Sequence, residues 1–109
     1  MEPKLVKKQA EIAAVCRRFG VSRLEVFGSA AVGEFDPASS DYDFIASFNT
    51  QPGVSMARRF LGFNEALEAL LERKVDLMTD RLIENPYLRA AVNASRKPVY
   101  TESTSEAPV

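Results

Sequence analysis

Helix-spaced apolar stripes alternate along the chain with short runs of β-branched and aromatic residues, which predicts an α/β protein of the α+β kind. The clearest stripe is Met56, Phe60, Phe63, Leu67 and Leu70, stepping by four, three, four and three as one face of a helix does. Two strand-length runs flank it, Asp41 to Phe48 and Lys74 to Met78, so a helix connects two strands. A length of 109 residues, 46% hydrophobic and 27% charged, suits one domain with one modest core; residues 1–100 are read as that domain.

At the N-terminus, Pro3 suits a first helical turn, and Leu5, Ile12, Cys16 and Phe19 recur at helical spacing until Gly20 ends the run. A helix from Pro3 to Phe19 follows, with Cys16 on its apolar face as a small buried hydrophobe. Leu24 to Phe27 reads as a short strand stopping at Gly28-Ser29, and Ala30 to Gly33 as one or two helical turns. Asp36 to Ser40 is a loop by composition. After the strand at Asp41 to Phe48 and the turn-rich Asn49 to Gly53, the striped helix runs from about Val54 to Arg73. The strand Lys74 to Met78 carries one acid, Asp76, among apolar neighbours. Leu82-Ile83 read as a helical turn, Asn85-Pro86 as the cap and first turn of a last helix through about Ala94, and Val99-Tyr100 as a brief strand. Leu82, Ile83, Tyr87 and Leu88 suit either core or a partner-facing surface, with core preferred. The small, polar tail 101–109 is expected to be disordered.

The chain has no histidine and no tryptophan, and Cys16 is its one cysteine. Imidazole bases, Ser-His-Asp and Cys-His nucleophile systems and His-ligated metals are therefore excluded within it. One cysteine forms no internal disulfide, which fits a cytoplasmic setting, and neither a membrane-length apolar run nor a signal-peptide core is expected. A net charge of −1 disfavours bulk nucleic-acid binding. The acids are unevenly placed, with Glu25, Glu34, Asp36, Asp41 and Asp43 against Arg23 alone between residues 21 and 50.

Asp41 and Asp43, two apart on a predicted strand, place both carboxylates on one face. Two such charges repel unless a cation neutralises them, and without nearby histidine or thiolate the fitting cation is hard, Mg²⁺ before Zn²⁺. Asp76 is the candidate third ligand, because an acid between Val75 and Leu77 either surfaces or faces a metal. Taken alone, an Asp-x-Asp pair is better explained by a turn or a solvent-facing surface, and Gly28-Ser29 by an ordinary turn. Gly28 to Gly33 has the glycine spacing of a P-loop, but Glu34-Phe35 replace its Lys and Ser/Thr. A calcium loop starting at Asp41 fails as well, with Ala46 at its sixth position and Pro52 at its twelfth.

In order, a strand, Gly28-Ser29, Gly33, an acidic loop, Ser40-Asp41-x-Asp43 opening a strand, a helix and an Asp76-bearing strand resemble the polymerase beta-like nucleotidyltransferase superfamily. Over residues 20–100 the layout resembles its minimal nucleotidyltransferases (MNT), the antitoxin partners of HEPN toxins. Val75-Asp76-Leu77-Met78-Thr79 and Asn85-Pro86-Tyr87-Leu88-Arg89 extend the likeness. One position departs: Ala30-Ala31-Val32 stand where many relatives carry an arginine.

The resemblance implies a small mixed sheet with helices mainly on one face and the three acids at one edge. It further implies a two-metal Mg²⁺ site on Asp41, Asp43 and Asp76, with Gly28 and Ser29 binding the nucleotide. Ser29 would donate to a terminal phosphate, helped by nearby backbone amides. AMP would pass from ATP to a hydroxyl, by analogy a tyrosine of a cognate HEPN toxin in a hetero-oligomer, neutralising it by AMPylation. The opposing expectation is an antitoxin that neutralises by binding alone.

Overall fold

The computed structural model describes residues 3–32, 41–79 and 85–102. Within them the order is α1 (Pro3–Lys7), α2 (Gln9–Phe19), β1 (Val21–Phe27), α3 (Ser29–Val32), β2 (Tyr42–Phe48), α4 (Met56–Leu71), β3 (Val75–Thr79), α5 (Pro86–Ser95) and β4 (Lys97–Thr101). The four strands form one mixed sheet in the order β3-β2-β1-β4. β1 is antiparallel to β2 and β4, whereas β2 and β3 are parallel, a pairing that requires the crossover α4 supplies.

Alternation along the strands divides the sheet into two faces. Tyr42, Phe44 and Ala46 of β2, with Leu24 and Val26 of β1, join Leu5, Ile12, Cys16, Phe63, Leu67 and Leu71 in the main core. Phe63 meets Phe19 and Phe48 edge-on, at ring-centroid distances of 6.0 and 5.9 Å. The opposite face carries a small cluster of Ile45 and Val92, with Phe27 and Met78 against it, where α5 covers the sheet. Four helices thus contribute to one face and α5 to the other.

Several boundaries move for tertiary reasons. The expected first helix is interrupted at Lys8, although the Lys8 amide still donates to Lys4 O and Lys8 O still accepts from Ile12. Gly20 ends it in the left-handed conformation (φ 72°). β1 begins at Val21 rather than Leu24 because Val21 and Arg23 pair with Phe48 and Ser47, partners that no local pattern reveals. β4 is longer than Val99-Tyr100 and includes Thr101, and the Glu102 amide donates to Ser22 O. The boundary of the tail, expected at 101, therefore moves; residues 103–109, like the Leu82-Ile83 turn, lie outside the described residues.

The stripe of α4 is also rotated from its expected setting. Its buried residues are Arg59, Phe63, Leu67 and Leu71, while Met56 is 43% exposed. Arg59 takes a core position because its guanidinium ties the end of α2 to the end of β2. It donates to Phe19 O, Gly20 O, Asn49 O and Asn49 Oδ1 at 2.9–3.1 Å and lies over the Phe48 ring.

Candidate active site

Three strand ends meet at one rim of the sheet. β1 finishes there, β2 and β3 begin there, and the register places Phe27, Asp43 and Asp76 in one row across the three strands. Asp43 and Asp76 are direct partners, so about 4.8 Å separates their backbones. The pairing is held from below: the Val75 amide donates to Glu68 Oε2 (3.0 Å) and the Tyr42 amide to Lys74 O (3.1 Å). Asp76, the second residue of an edge strand, is exposed, which resolves the cost of an acid among apolar neighbours.

Asp41 lies one residue before β2, which starts at Tyr42, so strand alternation does not extend to it. Its charge still reaches Asp43. Burial, then Asp76, then Asp41 push the Asp43 carboxyl up from 3.8 to about 6. Among the described residues, no three acidic, histidine or cysteine side chains close into a metal-ligating group as they stand. Asp43 and Asp76 adjoin through the register, and Asp41 approaches from the strand entrance. Mutual repulsion on an oxygen-only donor set is the chemistry that a hard divalent cation relieves.

Gly28 follows β1 directly, and its φ of 73° is in the left-handed region. A Cβ there would stand 2.8 Å from Asp43 Oδ2, so this turn touches the acid and only glycine avoids both penalties. Gly28 O accepts from the Ala31 amide, which starts α3, and Ala30 and Ala31 bury into the main core. Ser29 is the first residue of α3.

Four further residues near this rim, Ser95, Arg96, Glu25 and Arg23, receive no role from the sequence. The Gly28 amide donates to Ser95 Oγ at the end of α5 (3.0 Å). The next residue, Arg96, pairs with Glu25 at 2.5 Å, and Arg23 pairs with the other oxygen of Glu25 at 3.1 Å. Glu25 is 5% exposed within an apolar strand, the same signal that singled out Asp76. Nothing local marks Ser95 or Arg96.

Other expectations separate from the site. Cys16 is fully buried in the main core, and burial pushes its thiol up to about 12. Tyr87 and Leu88, for which core was preferred, are 87% and 42% exposed, because α5 turns Val92 inward instead. A separate hollow of about 460 Å³ lies at the other end of β2, between Ser47, Asn49, Gln51, Met56, Arg59 and Thr79, and contains none of the acids. Among the described residues, no helix is long and apolar enough to cross a membrane.

A mixed four-stranded sheet with paired acids on adjoining strands, beside a glycine turn, is the architecture of a nucleotidyltransferase. The chain belongs to that family: the model of the nucleotidyltransferase domain matches residues 10–99. A curated protein of Methanocaldococcus jannaschii, provisionally named a protein adenylyltransferase, is 36% identical over 77 residues, covering 69% of this chain and 73% of its own. A solved structure provisionally described as a minimal nucleotidyltransferase superposes with a TM-score of 0.71 at 31% identity, over 90% of this chain and 96% of its own. The fold is shared at lower identity by a chain of a toxin-antitoxin complex with AMP-PNP (TM-score 0.62, 18% identity, 90% of this chain and 77% of that one). It is also shared by a chain of a tri-AMPylated Shewanella oneidensis HEPN toxin complexed with MNT antitoxin (TM-score 0.60, 15% identity, 94% and 76%).

Proposed function

We propose that this protein is a Mg²⁺-dependent adenylyltransferase that moves AMP from ATP to a tyrosine hydroxyl of a cognate HEPN-type toxin and so acts as its antitoxin. The observation that carries the reading is the Asp43–Asp76 register pair beside Gly28. The names of the relatives supply the acceptor class: protein adenylyl transfer for one, an AMPylated toxin bound to its antitoxin for another.

Asp41, Asp43 and Asp76 would hold the metal through carboxylate oxygens. When bound, Mg²⁺ offsets triphosphate charge and makes the acceptor hydroxyl more acidic. Gly28, without a side chain, leaves room for the nucleotide beside Asp43, and Ser29 is the donor to its phosphates. Asp76, exposed at the sheet edge, is open to an acceptor arriving on another protein and takes up its hydroxyl proton at Oδ. The acceptor oxygen bonds to the α-phosphorus as the bond to pyrophosphate breaks. No imidazole base is required, in keeping with a chain that has no histidine.

The test incubates the protein with Mg²⁺, α-labelled ATP and the product of the neighbouring gene, comparing wild type with Asp41→Asn, Asp43→Asn and Asp76→Asn. Label on a toxin tyrosine with wild type, and at least a hundredfold less with each variant, is expected. No transfer by wild type, with toxin still silenced by all four proteins, overturns catalysis in favour of neutralisation by binding alone.

A further inference from the structure

We infer that Ser95 is a positioning residue for nucleotide binding: its hydroxyl sets the Gly28 turn against Asp43 from across the sheet face. The inference rests on the nucleotidyl-transfer reading and concerns a residue outside the acid row. Ser95 and Gly28 are 67 positions apart, yet Ser95 Oγ accepts the Gly28 amide proton at 3.0 Å. The turn is thereby pinned on both sides, since Gly28 O accepts from the Ala31 amide at 3.1 Å. The pinning matters because the turn lies so close to the acid: the missing Cβ of Gly28 would stand 2.8 Å from Asp43 Oδ2. A small rotation of this peptide therefore changes both the room beside the carboxylate and the direction in which α3 begins.

The end of α5 is itself held firmly enough to serve as a reference point. Arg96, adjacent to Ser95, reaches Glu25 three residues before Gly28 and also donates to Asn93 Oδ1 at 2.7 Å. Ser95 Oγ is further oriented toward Ala91 O at 3.5 Å. With the Gly28 amide bound to Ser95, the backbone donors left for phosphate begin after Gly28. Ser95 therefore shapes the nucleotide pocket without touching the nucleotide.

The test measures binding of Mg²⁺ with a non-hydrolysable ATP analogue by calorimetry, and exchange of the Gly28 amide by NMR, in the full chain. Ser95→Ala is expected to weaken analogue binding about five- to twentyfold and to speed Gly28 exchange at least tenfold, with the Phe44 amide unchanged. Ser95→Thr, which keeps the hydroxyl, is expected to restore both. Asn93→Ala, which takes one partner from Arg96 but leaves its ion pair with Glu25 and the Ser95–Gly28 bond in place, is expected to leave both unaltered. Wild-type affinity in Ser95→Ala, or an equal loss in Asn93→Ala, overturns the role of Ser95 while leaving the nucleotidyl-transfer reading intact. A wild type that binds no analogue refutes that reading and this role together.

Discussion

Replacing Asp43 by Asn is expected to make the metal-free protein more stable at neutral pH and to weaken Mg²⁺ binding. Asp43 is pushed up to about 6 in the folded chain by burial and by Asp76 and Asp41, against 3.8 for the free group. A carboxyl raised on folding favours the folded state when protonated, so its stabilisation is full below about pH 3.8 and is lost as pH rises through about 6. Taken at face value the shift is about 3 kcal/mol. Asp43 is only half-buried, and solvent screening reduces this to roughly 1 kcal/mol. Asn keeps the shape without the charge, so urea denaturation in EDTA at pH 7.5 is expected to show Asp43→Asn more stable by about 1 kcal/mol. At pH 4.5 the gap is expected to fall to about a third of that, because the folded wild type is then mostly protonated. Adding Mg²⁺ at pH 7.5 is expected to stabilise wild type and not the variant. A variant no more stable than wild type at pH 7.5, or a gap independent of pH, refutes repulsion at this rim.

Three other outcomes follow from the same contacts. Gly28→Ala is expected to cost about 1–2 kcal/mol in urea denaturation for the left-handed backbone and to weaken Mg²⁺-ATP binding by displacing Asp43. Arg59→Lys is expected to lower stability by about 2 kcal/mol, since a lysine cannot reach four acceptors in a planar fork, whereas Arg58→Lys on the exposed side of α4 leaves the urea midpoint unchanged. The Cys16 thiol, buried and pushed up to about 12, is expected to react with a disulfide reagent at pH 8 only at the rate of unfolding; fast labelling of the native protein would contradict its burial.

Strong periodicity was legible without coordinates. The helix through Phe63 and Leu67, the strands carrying Asp43 and Asp76, and the Asn85-Pro86 helix start stand where spacing and caps place them, because local geometry alone decides those patterns. The beginning of β1 at Val21, the growth of β4 to Thr101 and the burial of Arg59 were not legible. Each depends on a partner distant in sequence: Phe48 for Val21, Arg23 for Thr101, and the Gly20 carbonyl for Arg59. Tyr87 and Leu88 are exposed for a related reason, since the buried residue of α5 is Val92, which packs with Ile45.

The absence of histidine, the spacing of Asp41 and Asp43, the isolated Asp76 and the Gly28-Ser29 turn are determined by the chain itself, and they leave its chemistry to carboxylates, hydroxyls, lysines and arginines. Their arrangement belongs to the tertiary structure. The parallel pairing of β2 with β3 sets Asp43 beside Asp76, and the packing of α5 brings Ser95 and Arg96 onto β1. A side chain's identity is local, but strand register and helix docking follow from burial of surfaces far apart in sequence, so the row of acids and its clamp exist only in the folded protein.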